Sequence, residues 1–169
     1  MFDNIAIREF EEKSDLKKYV EFEKEIIGKD FWNKEYEDFY LRSFKLNKNE
    51  KLIIVTNSTC KTYKIIGVLL FEIKINNKKY KNINGTYDSI LYIKRIDILE
   101  EMRNKKIGEN LLYYLKQKYP DIKTFNLEVS KNNHRAINFY LKNGFEEIKS
   151  YDTTIIFKCD IEKRFKIAS

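Results

Sequence analysis

From Ser89 to Leu99, "SILYIKRIDIL", apolar and polar residues alternate, whereas from Ile107 the residues Leu111, Leu112, Leu115 and Tyr119 extend an apolar stripe at helical spacing as far as Pro120. The first pattern has the period of a strand and the second that of a helix. Proline ends the helix because it brings no N–H and its ring collides with the preceding turn. A second alternating run, "TFNLEV" from Thr124, follows at once. Strand, helix and strand in that order make a parallel pair joined by a right-handed crossover. That unit places the chain among α/β folds built on a mixed sheet.

The remaining segments extend this pattern. Ile5 to Phe10 reads as a short strand, and Ser14-Asp15 as a helix N-cap before Leu16, Tyr19, Val20, Glu23 and Ile27, with Gly28 as the stop. Residues 33–46 repeat the helical spacing, with Tyr36, Phe39, Tyr40 and Phe44 on one face. "LIIVT" and "KIIGVLLFEIKI" are β-rich runs, the second ending at the turn-prone Asn76-Asn77. After a polar stretch with Asn82, Asn84 and Gly85, the Ser89 segment is expected to pair antiparallel with its predecessor. A last helix starts near Asn132 or Asn133, carries Ala136, Ile137, Tyr140 and Leu141, and closes at Gly144; "TTIIFKC" makes a final strand. The order is strand, two helices, three strands, helix, strand, helix, strand, strand. It predicts a mixed, mostly antiparallel central sheet of six to seven strands flanked by about four helices. With no repeat, Pro-rich linker or low-complexity break, residues 1–169 read as one domain.

Composition narrows the class. A hydrophobic fraction of 43%, with 12 Tyr and 12 Phe, is enough apolar surface to offset the entropy of ordering 169 residues. Thirty-three Lys and Arg against 26 Asp and Glu leave a formal charge of +7, which suits anionic partners. Both signs are interspersed along the chain, so the excess reads as a solvated surface, and no nucleic-acid-binding motif accompanies it. Cys60 and Cys159 lie far apart and no secretory signal is evident, which points to free thiols in a reducing, cytoplasmic compartment. The longest apolar run, Ile65 to Phe71, is seven residues, short of the roughly 18 that span a bilayer.

The chemistry concentrates in "MRNKKIGEN", where the alternating strand turns into the helix. A strand that runs through a basic turn into a helix offers an anion free backbone N–H groups, the positive end of the helix and cationic side chains. Arg103, Lys105 and Lys106 supply the charge, and Gly108, without a Cβ, admits close approach of a ligand or an unusual turn. About 25 residues on, "LEVSKNNHRAINFYLKNGFEEI" presents Glu128, Asn133 and Tyr140 on the next strand and helix.

With these two segments in this order and spacing, the chain resembles the GCN5-related N-acetyltransferases. Their acetyl-CoA signature, Arg or Gln, two residues, Gly, one residue, Gly or Ala, is matched by Arg103 and Gly108 after Ile98. Lys106 stands where the first glycine is usual, and Glu100 where proline is frequent. The later motif appears as Asn133, Ala136, Tyr140, Gly144 and Phe145. The resemblance implies an acetyl-CoA-dependent transferase that uses coenzyme A as co-substrate and no metal. It implies that the main chain of Ile96, Asp97 and Ile98 meets the pantetheine arm. Arg103, Asn104, Lys105 and Lys106, with Ile107, Gly108 and Glu109 of the first helical turn, would wrap the diphosphate, and Asn133 and Tyr140 would touch the cofactor further along.

Direct transfer needs a base to strip the protonated amine and an acid to reprotonate the thiolate. In the ribosomal-protein alanine acetyltransferases, to which this segment is similar, a glutamate at the place of Glu128 is the base. Asp97 or a water chain is the alternative. Tyr140, twelve positions later, is the candidate acid, since a phenol pKa of about 10 lies close to that of a thiol, about 8.5. His134, the single histidine, has no partner set for a triad or a metal and reads as a solvent-facing residue beside Asn133. Trp32 and "FWNKEYEDFY" fit either an acceptor groove or a helix core. The acceptor is a primary amine of a small molecule or a protein N-terminus, and the enzyme a monomer or homodimer. A non-catalytic acyl-CoA-binding regulatory module of the same fold is the other reading of the imperfect glycine signature.

Overall fold

In the computed structural model of the protein, residues 4–28, 31–58, 62–75 and 89–161 are described. They form β1 (Ile5–Glu9), α1 (Glu12–Ile27), α2 (Lys34–Ser43), β2 (Glu50–Ser58), β3 (Tyr63–Ile75), β4 (Ser89–Ile98), α3 (Ile107–Lys118), β5 (Thr124–Ser130), α4 (His134–Lys142), β6 (Glu146–Ser150) and β7 (Thr154–Asp160). Element types and order agree with the periodicities of the sequence. The seven described strands follow the order β1-β2-β3-β4-β5-β7-β6, with β4 and β5 parallel and the β1/β2, β5/β7 and β6/β7 pairs antiparallel. The expected turn at Asn76-Asn77, the stretch from Asn82 to Gly85, and Cys60 lie outside the described residues.

The chain falls into two compact units, residues 1–70 with 95–111 and residues 71–94 with 112–169. In the first, β2 is buried on both faces from Leu52 to Thr56, which is why that run is continuously apolar and not alternating. Burying a side chain such as Phe22 stabilises the fold by about 2–3 kcal/mol. Gly67 of β3 lies so near β4 that a Cβ would stand 3.4 Å from the Asp97 carbonyl oxygen and 3.5 Å from Ile98 Cγ1. The Leu99 N–H then bonds the Ile66 carbonyl at 3.0 Å, fixing the end of β4.

α1 begins at Glu12, two residues before the expected Ser14-Asp15 cap. The cause is Asp15, fully buried inside the helix. It accepts the Glu11 N–H at 2.8 Å and the Arg8 guanidinium at 2.6 and 2.7 Å, and it bonds the Tyr63 hydroxyl. One carboxylate thereby ties β1, α1 and β3. α2 is capped as its sequence suggests, with Asn33 Oδ1 accepting the Tyr36 N–H at 2.7 Å. Its packed stripe is narrower than expected. Tyr40 and Phe44 join Tyr19 and Trp32 in an aromatic cluster, whereas Phe39 is 65% exposed.

In the second unit, β4 pairs with β5 from Ile90↔Thr124 to Ile93↔Leu127, and β5 pairs with β7 along its whole length. The alternating residues Phe125, Leu127 and Val129 are buried together with Leu91, Ile93, Leu115, Phe145 and Phe157. α4 starts at its Asn133 cap, whose Oδ1 accepts the Ala136 N–H at 3.1 Å, and is followed by Gly144 at φ +78°, a left-handed turn that glycine adopts without strain. Cys159 is buried, with its thiol 4.0 Å from the Asn143 carbonyl. Among the described residues no helix is long and apolar enough to cross a membrane.

Candidate functional site

The basic turn opens with the Arg103 N–H bonded to the Glu100 carbonyl at 3.2 Å. After β4 a single 3-10 turn, Glu100–Met102, leads to Arg103, and then Asn104 and Lys106 both take left-handed conformations, at φ 60° and 58°. Asn104 is a residue that visits this region; lysine is not, and holding it there costs on the order of 1–2 kcal/mol. The position where the glycine signature is broken is thus the one that demands positive φ. Gly108, by contrast, is a buried residue of the first turn of α3 and takes no unusual turn.

Lys106 accepts the Asn110 N–H through its carbonyl at 2.9 Å and so stands at the N-cap of α3. A lysine side chain has no acceptor to offer, in contrast to Asn33 and Asn133, which cap α2 and α4. The N–H groups of Ile107, Gly108 and Glu109 therefore point out of the helix end without the usual side-chain cap. The Arg103 Nε donates to the Ile98 carbonyl at 3.1 Å, folding the guanidinium back along the turn, while Asn104, Lys105, Lys106 and Glu109 are exposed.

In the same unit the end of β4 carries a charged cluster. Arg95 is paired with Asp97 and, at 3.0 Å, with Glu23 of α1, whose side chain is 3% exposed. Burial alone would lower the Arg95 pKa, but the charges of Glu23 and Asp97 outweigh it and raise it above its ordinary value. Burial, together with Glu23, lifts the Tyr19 and Tyr40 phenols above theirs, so both stay neutral. Ile96 and Ile98 are half-buried, and Asp97 is held by a guanidinium.

The second unit holds the other sequence-derived residues. Glu128 and Tyr140 belong to it together, but on opposite faces of β5. Leu127 stands opposite Phe157 in the ladder, and Tyr140 packs against Phe157 and Phe145, with ring centroids 6.5 and 5.2 Å away. Tyr140 is therefore on the Leu127 face, 7% exposed. Glu128, one residue on, points the other way, exposed, and accepts a 2.5 Å bond from the Thr154 hydroxyl of β7. Tyr92 of β4, opposite Asn126, shares that face; burial, then the charges of Glu128 and Glu72, raise its phenol above the ordinary pKa. Asn133 is placed as the cap of α4, and His134 is exposed as the first residue of that helix.

The sequence did not single out Tyr92, Thr154, Glu23 or Arg95. Alternation marked Tyr92 and Arg95 as strand residues, but which strands lie side by side, and in what register, was not readable from it. Trp32, left open between groove and core, is 7% exposed, with its indole N–H donated to Glu37 at 3.3 Å. Among the described residues no three His, Cys, Asp or Glu side chains gather as metal ligands.

The profile of the Acetyltransferase (GNAT) family matches residues 13–145, and the chain belongs to that family. No curated protein sequence matches it. Among solved structures it resembles the PaiA N-acetyltransferase of Thermoplasma acidophilum in complex with coenzyme A, at 20% identity and a TM-score of 0.65 over 93% of this chain and 99% of that one. It also resembles NAA60 of Arabidopsis thaliana in complex with acetyl-CoA, at 15% identity and a TM-score of 0.66 over 94% and 99%. A spermidine N-acetyltransferase chimera from Vibrio cholerae and hSSAT is similar at 17% identity, with a TM-score of 0.63 over 95% and 98%. At these identities the likeness is one of fold.

Proposed function

We propose that the protein is an acetyl-CoA-dependent N-acetyltransferase acting on a primary amine, with residues 1–169 working as one domain. The observation that carries this reading is the α3 start: a lysine N-cap that cannot satisfy the helix, two left-handed residues before it, and a surround of cations. Such an end suits the diphosphate of coenzyme A, bound by the main chain of Arg103 to Glu109 with Arg103, Lys105 and Lys106 adding charge. The main chain of Ile96, Asp97 and Ile98 takes the pantetheine arm and offers an N–H to the carbonyl oxygen as charge develops on it. Asn133 supports the cofactor. Membership of the family, and relatives of the same fold solved with coenzyme A or acetyl-CoA, support this assignment.

In the proposed reaction the acceptor loses a proton to Glu128, its nitrogen attacks the thioester carbonyl carbon, the C–S bond breaks, and the thiolate takes a proton from Tyr140. Glu128 is preferred to Asp97 because Asp97 is held by Arg95, whereas among the described residues Glu128 has no ion pair and meets the Thr154 hydroxyl.

The test is thiol release from acetyl-CoA against polyamines, other small amines and peptides with free N-termini, with calorimetry of coenzyme A binding alongside. Amine-dependent thiol release is the expected result. Tight coenzyme A binding without transfer to any amine would reject the catalytic reading, and no coenzyme A uptake would reject the site.

A further inference from the structure

A glutamate on an exposed strand face turns about three side-chain bonds, and a base that must meet one nitrogen gains from being held still. Glu128 is held from the β7 side and flanked on the β4 side. Thr154 of β7 donates to its Oε1 at 2.5 Å, and Thr154 sits two residues from Ile156, the direct partner of Glu128 in the β5/β7 ladder. Threonine branches at Cβ and has few χ1 positions, so its hydroxyl is a fixed donor. On the β4 side, Tyr92, opposite Asn126 in the β4/β5 ladder, stands on the same face as that carboxylate, and its ring is steadied by Lys74 Nζ, 4.6 Å from the centroid. Both hydroxyls are neutral. The cations nearby are engaged elsewhere: Lys74 and Lys94 pair with Glu72 at 2.6 and 3.4 Å. Among the described residues, Lys158 and Asp160 of β7, with Glu146 and Lys149 of β6 beyond them, are the other charged groups of that face.

We infer that Tyr92 and Thr154 are positioning residues that orient the Glu128 carboxylate for proton abstraction from the acceptor amine. The inference rests on the reading of Glu128 as the base. Two hydroxyls fix a carboxylate's direction through hydrogen bonds and leave other lone pairs open to a proton, whereas a guanidinium, as at Asp97, fixes the direction and also holds the negative charge. Three neighbouring strands thus each contribute one side chain to a single proton-accepting group.

The experiment compares the native protein with Glu128→Gln, Thr154→Val, Tyr92→Phe and Glu128→Gln/Thr154→Val, measuring kcat/KM against pH with acetyl-CoA and the most reactive amine of the panel above. Thr154→Val keeps the branched shape, and thermal unfolding of each variant checks the fold. The expected result is a loss of about tenfold in kcat for Thr154→Val and Tyr92→Phe, with KM for acetyl-CoA unchanged and the acid limb of the profile moved to higher pH. The double variant should be no slower than Glu128→Gln alone, because orienting an absent base does nothing. If Glu128→Gln is slow but the two hydroxyl variants keep the native profile, the positioning role is wrong and the base assignment stands. If Glu128→Gln itself keeps the native profile, the base assignment fails and this inference with it.

Discussion

Glu128 and Tyr140 lie on opposite faces of β5, the first bonded to Thr154 and the second packed on Phe157. A single pleat separates a candidate proton acceptor from a candidate proton donor.

Tyr140→Phe removes the hydroxyl while keeping the ring contacts with Phe145 and Phe157, so the fold should be retained. Turnover should fall by about 10²-fold with coenzyme A affinity unchanged. Steady-state kinetics and calorimetry on the same preparation decide it, and an undiminished kcat would remove Tyr140 as the acid.

Lys106→Gly should stabilise the protein slightly. A left-handed lysine costs about 1–2 kcal/mol, and the looser unfolded chain of a glycine returns about 0.4–1 of that, leaving a gain of roughly 0.5 kcal/mol. Lys106→Val, branched at Cβ, should lose stability instead. Chemical denaturation of both variants reads the difference; equal midpoints would mean that the turn relaxes at no cost.

Asp15 links stability to pH. Burial pushes its carboxyl up, but the bonds from Arg8, Tyr63 and the Glu11 N–H win and bring it down to about 2. A depressed pKa means that the stabilisation is present above the unfolded value, near 3.8, and disappears as pH falls towards 2. The contribution is about 2 kcal/mol. Thermal midpoints between pH 5 and 2 should drop more steeply for the native chain than for Asp15→Asn; parallel curves would assign the acid sensitivity elsewhere.

Arg95→Leu leaves Glu23 buried and Asp97 beside it with no cation between them, which should cost about 3 kcal/mol. Adding Glu23→Gln should recover part of that loss, since the uncompensated charge is then gone. Urea titrations of the single and double variants test this, and strictly additive losses would show that the pair is not coupled.

The elements of this fold were legible because each rests on a local rule. The alternation in "TFNLEV", the helical stripe ended by Pro120, and the Asn133 cap each carry their own signal, and β5, α3 and α4 follow them closely. The α1 boundary was misjudged because it depends on a partner from another element: Asp15 reads as a cap until Arg8 and Tyr63 take its carboxylate into the interior. Phe39 was placed on the packed face by spacing alone, yet an aromatic cluster already filled by Tyr19, Tyr40 and Phe44 leaves it outside.

By itself the sequence determined the order of strands and helices, the basic turn before α3 and the spacing of Asn133 and Tyr140, since period, caps and breakers act within a few residues of one another. Only the tertiary structure decided that Asn104 and Lys106 are left-handed, that Arg95 claims Asp97, and that Thr154 reaches Glu128 on the face that Tyr92 shares. Those outcomes depend on which strands become neighbours and in what register. Register is a property of packed faces, and no local run of residues carries it.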